Sequence, residues 1–330
     1  MHRNIKPKIV FSKIYDPWFN LALEEAILNS INKGEIFLYI WQNDKTVIIG
    51  KNQNPWKECN ITTLKRNGGK IARRITGGGA VYHDLGNVNF SFLVDKEQYD
   101  QTKQFNLILN AIKKLGINAE LSGRNDIIAN GRKFSGNAFY VDEHVGLHHG
   151  TILVNTDISR MIRYLNVSKE KIISKGIDSV KARVVNLKDI KPEITVEAII
   201  NRLIEEFKNV YGNNIEIVDP IAFNIEKFYE KHSSWEWIYG ETPDFNISFS
   251  KRFIWGEIEF NLQLEKGKIV KSYVYSDAIE TQVIEKINLA IKDLDFNFDT
   301  INESLRKIDI DADGKELINN IIDWLSNINI

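Results

Sequence analysis

One segment of the sequence combines glycine with cationic side chains, which is the chemistry of an anion-binding site. It contains two arginines and three consecutive glycines, Arg73-Arg74-Ile75-Thr76-Gly77-Gly78-Gly79-Ala80-Val81-Tyr82-His83-Asp84. Glycine lets the backbone approach a ligand closely, successive N–H groups can surround an anion, and arginine pairs with phosphate or carboxylate oxygens. The spacing matches neither a Walker A loop nor a Rossmann fingerprint. The segment predicts a phosphate cradle, with a flexible surface loop as the alternative.

A second segment places a lysine on a predicted strand, in Gly131-Arg132-Lys133-Phe134-Ser135-Gly136-Asn137-Ala138. Asn130-Gly131 predicts a hairpin turn between two strands, and adjacent strand residues point to opposite sides, so Lys133 would face away from Phe134. A lysine above an anion site can stabilise charge that develops in a transition state. The alternative is a solvated strand lysine, which is the common arrangement.

Three other features bear on the chemistry. In His148-His149-Gly150-Thr151 the two histidines would face opposite sides of a strand, so a hydrogen-bonding role is favoured over a shared metal ion. Cys59 is the only cysteine, which excludes an intramolecular disulfide, and it is interpreted as a small buried residue. The basic stretch 174–187 is interpreted as a loop that closes over an anionic ligand or as an exposed linker.

The elements that must position these segments follow from the spacing of apolar residues. Asp16-Pro17 predicts the start of a helix, and two further helical stripes would end at Gly116 and Gly212. Asn43-Asp44-Lys45 predicts a turn, and 88–94 alternates in part like a half-buried strand. The predicted strands of this part of the chain are 37–41, 46–50, 88–94, 126–129, 133–140 and 150–154.

The C-terminal part of the sequence changes character. Strict alternation of apolar and polar residues over 257–265 predicts a strand with one wet face, and Lys266-Gly267-Lys268 turns it into a second strand. Two helical stretches close the chain, so we expect a small α+β module built from one hairpin and two helices. Because Gly240 and Pro243 interrupt the pattern before it, we place the domains at 1–242 and 243–330.

The composition is that of an ordinary globular protein. The chain has 330 residues, of which 43% are apolar and 26% charged, with a net charge of −1. The neutral balance argues against a nucleic-acid partner. We expect a cytoplasmic protein without a membrane segment, because no stretch has the apolar length of a signal peptide or a membrane span.

These segments together resemble the lipoate–protein ligase A family in its long bacterial form. Further matching blocks are Tyr15–Ala22, Gln53–Asn60, Ser122–Asp126, Trp235–Trp237 and Arg252–Gly256. The resemblance covers nearly the whole chain and implies an α/β (α+β) fold. Its catalytic domain would have the mixed sheet shared with biotin ligases, and a small C-terminal accessory domain would follow it. Phe134 and Asn137 stand where the family pattern has an aliphatic residue and a serine.

The resemblance also implies an activity and its residues. The enzyme would activate lipoate with ATP to lipoyl-AMP and transfer the lipoyl group to a lysine of an acceptor. The acceptors would be lipoyl domains of 2-oxoacid dehydrogenase complexes or the glycine cleavage H protein. Lys133 would be catalytic and would contact both lipoate and ATP. The remaining ATP contacts would be Arg74, Gly79, Ala80, Val81 and Tyr82. The 174–187 loop would close over the adenylate, and Mg²⁺ is expected on the phosphates without ligands readable from the sequence.

Three alternatives remain at this point. An octanoyl or lipoyl transferase of the same fold would need a cysteine nucleophile, and Cys59 lies before the glycine segment. That position disfavours the transferase, although amidotransferase activity stays open. A biotin ligase would carry a different Gly-Arg block. A non-catalytic ligand-binding relic is disfavoured because Arg74, the glycines and Lys133 are all present.

Overall fold

The computed structural model describes residues 5–123, 125–166, 183–242, 244–276 and 281–328. The chain divides into two compact units. The first consists of Met1–Lys51 and Leu64–Ser234, and the second of Asn52–Thr63 and Trp235–Ile330. Within the described ranges, no helix has the length and apolar character needed to cross a membrane.

The helices and strands alternate along the first unit, whereas the second unit has its strands before its main helices. The helices are α1 (Pro17–Ser30), α2 (Pro55–Glu58), α3 (Ile61–Arg66), α4 (Gln101–Lys114), α5 (Ile158–Tyr164), α6 (Leu187–Ile190), α7 (Val196–Tyr211), α8 (Glu226–Ser233), α9 (Thr281–Ala290), α10 (Phe298–Arg306) and α11 (Ala312–Leu325). The strands are β1 (Lys6–Phe11), β2 (Glu35–Trp41), β3 (Thr46–Ile49), β4 (Lys70–Arg73), β5 (Val81–His83), β6 (Asn87–Asp95), β7 (Ala119–Ser122), β8 (Asp126–Ala129), β9 (Arg132–Val141), β10 (Val145–Leu153), β11 (Glu216–Val218), β12 (Phe245–Phe253), β13 (Gly256–Glu265) and β14 (Lys268–Ser276).

The predicted helix ends are confirmed. The Asp16 carboxylate accepts hydrogen bonds from the backbone N–H groups of Trp18 and Phe19, which caps α1. Gly116 and Gly212 follow α4 and α7 with φ values of 82° and 103°. These angles are accessible to glycine without the steric cost that a Cβ atom adds.

A mixed eight-stranded sheet in the order β11-β1-β2-β6-β10-β9-β8-β7 forms the centre of the first unit. β1 pairs in parallel with β2 and β11, and the remaining neighbours are antiparallel. Alternate residues of β2 belong to two apolar clusters on opposite faces. Ile36, Leu38 and Ile40 pack with α4 and α7, whereas Phe37, Tyr39 and Trp41 pack with α1. Both faces of the central strands are therefore covered, which confirms the predicted mixed-sheet fold.

One detail differs from the sequence prediction, and a second adds to it. β6 is buried on both faces rather than half-buried, because helices cover both sides of the sheet at this strand. β2 and β3 belong to different sheets, since β3 pairs in parallel with β4 and antiparallel with β5 in a separate three-stranded sheet. The turn predicted at 43–45 thus carries the chain from one sheet to the other.

The predicted hairpin at Asn130-Gly131 is confirmed. Both residues have positive φ, 50° and 71°, which is the conformation of a two-residue hairpin turn. The β8–β9 register shifts after Ile127, so that Phe134 is an extra residue on β9. Such a bulge bends a strand and changes the direction of its side chains.

The second unit contains more structure than the sequence predicted. Its antiparallel sheet has the order β12-β13-β14, and three helices follow in the described ranges. The expectation of one hairpin and two helices was wrong. It missed β12, in which apolar and polar residues alternate only over 245–250 before Lys251-Arg252 interrupts the pattern. The alternation of β13 itself is confirmed, with Ile258, Phe260, Leu262 and Leu264 all buried.

The segment Asn52–Thr63 belongs to the second unit although it precedes β4 in the sequence. The Trp56 ring lies within 6.4 Å of the rings of Trp235, Tyr239 and Phe296, measured between centroids. This unit is therefore discontinuous in sequence, and an early segment completes its core.

Candidate active site

A cavity of about 120 Å³ opens in the first unit, and the glycine segment and Lys133 predicted from separate parts of the sequence meet there. Its wall combines apolar, glycine and polar residues drawn from both sheets. The lining residues are Leu21, Trp41, Ile48, Arg74, Gly78, Gly79, Ala80, Val81, His83, Asn89, Asn125, Lys133, Gly136, Asn137, Ala138, His149, Gly150 and Thr151.

The glycine loop between β4 and β5 is shaped by Arg74. This side chain is buried, and its Nη2 donates to the carbonyl oxygens of Gly77 and Gly79 at 2.7 and 2.8 Å. Burial lowers the pKa of the guanidinium to about 10, so Arg74 remains charged at neutral pH. A Cβ atom on Gly50 would lie 2.2 Å from the carbonyl oxygen of Gly78, so β3 and the loop meet backbone to backbone. The loop is thus held in one conformation beside the cavity.

A buried chain of hydrogen bonds anchors Arg74 to the core. Its Nε donates to Thr76 Oγ1 at 3.0 Å, and Thr76 Oγ1 lies 2.8 Å from His149 Nε2. His149 Nδ1 lies 2.9 Å from Glu24 Oε1 on α1, which also accepts from the Ser91 hydroxyl. Because Thr76 accepts from Arg74, its own proton is free for His149 Nε2 when Nδ1–H donates to Glu24. The chain therefore connects α1, β10 and the glycine loop.

Lys133 lies on β9 with its side chain 38% exposed. Its Nζ forms an ion pair with Asp126 Oδ1 at 2.7 Å, across the β8–β9 hairpin. A Cβ atom on Gly136 would lie 2.9 Å from Lys133 Nζ, so the lysine lies directly over this glycine. Phe134 is fully buried in the apolar cluster on the other face, which confirms the predicted opposite directions of Lys133 and Phe134.

The backbone of Lys133 also forms hydrogen bonds with the segment 183–185, on the edge of β9 away from β8. Its N–H donates to the carbonyl of Arg183 at 2.8 Å, and its carbonyl accepts from Val185 at 2.9 Å. These residues end the stretch 174–187 that was predicted to close over the ligand. Residues 174–182 of that stretch lie outside the described residues, and its described end is joined to the strand that carries Lys133.

One row of residues crosses four adjacent strands along the cavity floor. Trp41 of β2 is opposite Asn89 of β6, and Asn89 is opposite Thr151 of β10. The Thr151 hydroxyl accepts a hydrogen bond from the N–H of Gly136 of β9, under Lys133. At roughly 4.8 Å per strand, the row extends about 10 Å from Gly136 to Asn89 and about 14 Å to Trp41. A cation therefore stands at one end of an elongated slot, and an indole at the other.

The structure brings most of the predicted site residues to this cavity. Arg74, Gly79, Ala80, Val81 and Lys133 all line it. Among the described residues, those that line the cavity do not include Tyr82. Its ring is buried and packs 5.5 Å from that of Tyr164. The backbone of β5 at this position still borders the glycine loop.

The histidine pair faces opposite sides of β10, as predicted. His149 joins the hydrogen-bonded chain to Glu24, whereas His148 is enclosed by the rings of Phe105 and Phe139, with centroids 4.8 and 4.7 Å away. Cys59 is fully buried, as interpreted from the sequence, and burial raises the pKa of its thiol. In the described ranges, no three histidine, cysteine, aspartate or glutamate side chains group as a metal site.

Several residues that line the cavity or bond to its lining were not predicted from sequence, among them Glu24, Trp41, His83 and Asn89. Glu24 lies 125 residues from His149 in the chain, so no local spacing could indicate their contact. The one available signal was a charged residue among the mostly apolar residues of α1, because a buried carboxylate requires a partner.

Comparison with known proteins places the molecule in a family. Residues 16–208 match the lipoyl protein ligase A/B catalytic domain, and residues 242–325 match the bacterial lipoate protein ligase C-terminus. The chain therefore belongs to the lipoyl protein ligase A/B family, as the sequence resemblance predicted. It carries both domains of the bacterial lipoate protein ligases, and it is a ligase enzyme.

Solved structures agree with this assignment. LipL1 of P. falciparum in complex with lipoate is 34% identical, with 98% of this chain and 100% of that chain covered and a TM-score of 0.62. A bi-partite lipoate protein ligase of Thermoplasma acidophilum, described with its E2 lipoyl domain, is 30% identical over 71% of this chain and 96% of that chain, with a TM-score of 0.64. A lipoate-protein ligase A bound with ATP is 29% identical over 71% of this chain and 98% of that chain, with a TM-score of 0.61.

Proposed function

We propose that this enzyme joins lipoate to an acceptor lysine through lipoyl-AMP, with ATP as the activating substrate. The observation that carries the proposal is the single cavity that combines Lys133, the glycine loop and an apolar slot. Related structures hold lipoate in one case and ATP in another, which supports both substrates. Consumption of ATP also fits the cytoplasmic location expected from the sequence.

The slot has the form that a medium-chain acid requires. Its apolar wall includes Leu21, Ile48 and Val81, and Trp41 stands at the end away from Lys133. Ligand sites of this kind are mostly apolar with a few placed polar groups. The lipoate carboxylate would lie at Lys133, and the dithiolane ring would lie between Asn89 and Trp41.

In the first half-reaction the lipoate carboxylate attacks the α-phosphate of ATP, and pyrophosphate leaves. Two anions must approach each other, and Lys133 would offset their repulsion and stabilise the developing phosphoryl charge. Gly79, Ala80 and Val81 would present backbone to the nucleotide. Arg74 would act mainly by holding this loop, because its guanidinium is bonded to the carbonyls of Gly77 and Gly79.

The side chain of Tyr82 is poorly placed for the ATP contact that the family resemblance implies. Its phenol packs against Tyr164 and does not line the cavity. Any contact with the nucleotide would therefore come from its backbone, at the start of β5.

In the second half-reaction a neutral acceptor lysine attacks the mixed anhydride, and AMP leaves. Lys133 beside the carbonyl would polarise it, and much of the rate would come from positioning. The acceptor would be a lipoyl domain of a 2-oxoacid dehydrogenase complex or the glycine cleavage H protein. The T. acidophilum ligase described with its E2 lipoyl domain supports this class of partner.

Mg²⁺ would accompany ATP. It commonly binds through one or two carboxylates together with substrate phosphates, so a dedicated cage of protein ligands is not required. Asp126, the ion-pair partner of the cavity-lining Lys133, is a carboxylate that would fit this role. When bound, the ion would neutralise phosphate charge.

A transferase mechanism through a cysteine is disfavoured. Cys59 is fully buried, and burial raises the pKa of its thiol, which keeps it protonated and poorly nucleophilic. The chain contains no other cysteine.

The direct test incubates the purified protein with ATP, Mg²⁺ and lipoate, with and without a purified lipoyl domain. Pyrophosphate, AMP and the mass of the domain are followed. Lipoate-dependent pyrophosphate release with a lipoyl mass gain on the domain is the expected result. Absence of lipoate-dependent pyrophosphate would overturn the proposal.

A further inference from the structure

His83 presents an unused hydrogen-bond donor to the cavity. Its ring is buried, and burial lowers its pKa to about 3, so the imidazole is neutral near pH 7. Asn20 Nδ2 donates to Asn43 Oδ1 at 2.9 Å, which turns the Asn43 amide nitrogen toward His83 Nδ1 at 3.3 Å. Nδ1 is therefore the acceptor nitrogen, and the proton is on Nε2. That Nε2–H has no hydrogen-bond partner among the described residues.

Asn89 presents a second unused donor to the same cavity. Its side chain is 1% exposed, and its Oδ1 accepts from Asn87 Nδ2 at 2.8 Å. Its Nδ2 has no partner within the described part of the chain. Buried donors left without partners are uncommon in proteins and costly, so each calls for a ligand group or water.

The two donors lie at the end of the slot away from Lys133. Asn89 is in register with Trp41, two strands from Gly136, which places it about 10 Å from the lysine end. The His83 ring meets the Trp41 ring edge-on, with centroids 5.9 Å apart. A medium-chain acid whose carboxylate is at Lys133 would carry its distal carbons to this place.

We propose that His83 and Asn89 are specificity-determining residues that recognise a hydrogen-bond acceptor at the distal end of the acyl substrate. The inference rests on the proposed ligase function and deepens it. Of the two acids compatible with the fold, lipoate ends in a dithiolane whose sulfurs accept hydrogen bonds weakly. Octanoate ends in a methyl group that cannot. Octanoate would displace any water from the two N–H groups and leave both without a partner, so the enzyme prefers lipoate.

The test compares kcat/KM for adenylate formation with lipoate and with octanoate. The proteins are the full-length enzyme, Asn89→Leu and His83→Phe. The wild-type ratio should favour lipoate by roughly tenfold, because a buried donor without a partner weakens binding by about that factor. Asn89→Leu removes one donor at similar volume, so its lipoate kcat/KM should fall severalfold while the octanoate value rises. His83→Gln, which keeps an N–H donor, should retain more of the preference than His83→Phe.

Asn302→Leu is the matched control, because it removes an equally buried amide in α10 of the second unit. It should leave the lipoate-to-octanoate ratio as in the wild type. If the wild type used both acids equally, the specificity role of His83 and Asn89 would be refuted, while the ligase function would stand. A ratio unchanged in Asn89→Leu and in His83→Phe would do the same. Failure to activate either acid would instead overturn the ligase proposal and this inference together.

Discussion

At the scale of single residues, Lys133 is the side chain on which the proposed chemistry depends most. It is partly exposed and forms an ion pair with Asp126, so it contributes little to packing. Its position over Gly136, at the edge of the slot, gives its charge access to both substrates. Function and stability can therefore be separated at this residue.

Lys133→Ala should reduce adenylate formation by at least about 100-fold, because a preorganised cation is lost where charge develops. The melting temperature should change by no more than a few degrees. Lys114→Ala, which removes a lysine paired with Glu206 away from the cavity, is the matched control. Undiminished turnover in a folded Lys133→Ala protein would refute its catalytic role.

Substitution of Thr76 tests the buried series of hydrogen bonds that runs from Arg74 to Glu24. Thr76→Val keeps the shape but removes the hydroxyl that pairs with His149 Nε2, and it leaves Arg74 Nε with only the Gly77 carbonyl. We expect a loss of about 1–3 kcal/mol in the free energy of unfolding, the usual cost of buried groups without partners. Urea denaturation measures it. Thr76→Ser retains the hydroxyl and should lose much less, and equal stability of the two variants would contradict the assigned chain.

The site was predictable from sequence only where its signals were local. The glycines, Arg74 and Lys133 are recognisable as an anion site because their chemistry is carried by neighbouring residues. Glu24, His83 and Asn89 carry no such signal. Each reaches the site through contacts that only the folded sheets create, as the separation of Glu24 from His149 shows.

At the scale of elements, the β8–β9 hairpin positions the lysine. Asn130-Gly131 forms the turn, and the bulge at Phe134 lets Phe134 enter the core while Lys133 faces the cavity. The hairpin was predictable because its turn residues are adjacent. The bulge and the β3-β4-β5 sheet were not, because strand pairing and register are set by the folded sheet and not by the sequence of one strand.

Gly136→Ala should separate activity from stability at this hairpin. The added methyl group would meet the ammonium end of Lys133, at 2.9 Å, rather than backbone, so the lysine moves and the fold is kept. We expect adenylation to fall by up to about 100-fold, the usual effect of a misplacement of about 1 Å, with an unchanged melting temperature.

Gly150→Ala is the contrasting variant on the neighbouring strand. Its methyl group would lie 2.5 Å from Asn137 Oδ1 and 2.6 Å from the Phe90 ring, in the packed interior. It should lower the melting temperature clearly. Equal thermal losses in the two variants would show that the Gly136 contact is structural only.

At the scale of the whole molecule, buried neutral histidines make stability depend on pH. Burial lowers the pKa values of His83 and His148 to about 3, against about 6.5 in an unfolded chain. Between these values the unfolded chain binds more protons, so the stability present above pH 6.5 is lost as the pH falls toward 3. Two such groups give a slope of up to about 2.7 kcal/mol per pH unit.

Denaturant unfolding at pH 7 and pH 5 measures this slope. His148→Gln should reduce this slope by the contribution of one proton taken up on unfolding. Carboxylates such as Glu25 also lose stability as the pH falls, but they do so equally in both proteins, so the difference between the two slopes reports on His148. An identical slope in wild type and variant would mean that His148 is protonated or accessible in the folded protein.

The discontinuous second unit leads to a prediction about truncation. A chain ending at Ser234 lacks Trp235, Tyr239 and Phe296, which cover the ring of Trp56. The truncated protein should show red-shifted tryptophan emission and a lower solubility. The same truncation with Trp56→Gln should be more soluble, and equal solubility of the two would contradict the packing of Trp56.

This arrangement has a bearing on how such ligases can be divided into separate polypeptides, as in the bi-partite ligase of T. acidophilum. A break between Ser234 and Trp235 would fall between the two units, yet Asn52–Thr63 would stay with the large fragment. The large fragment would keep part of the hydrophobic core of the small fragment. The indole of Trp56 would hold the two fragments together through its noncovalent ring contacts. Splitting the gene at this junction would therefore convert an intramolecular core into a subunit interface. The large fragment would already carry Trp56, the residue that the small fragment packs against.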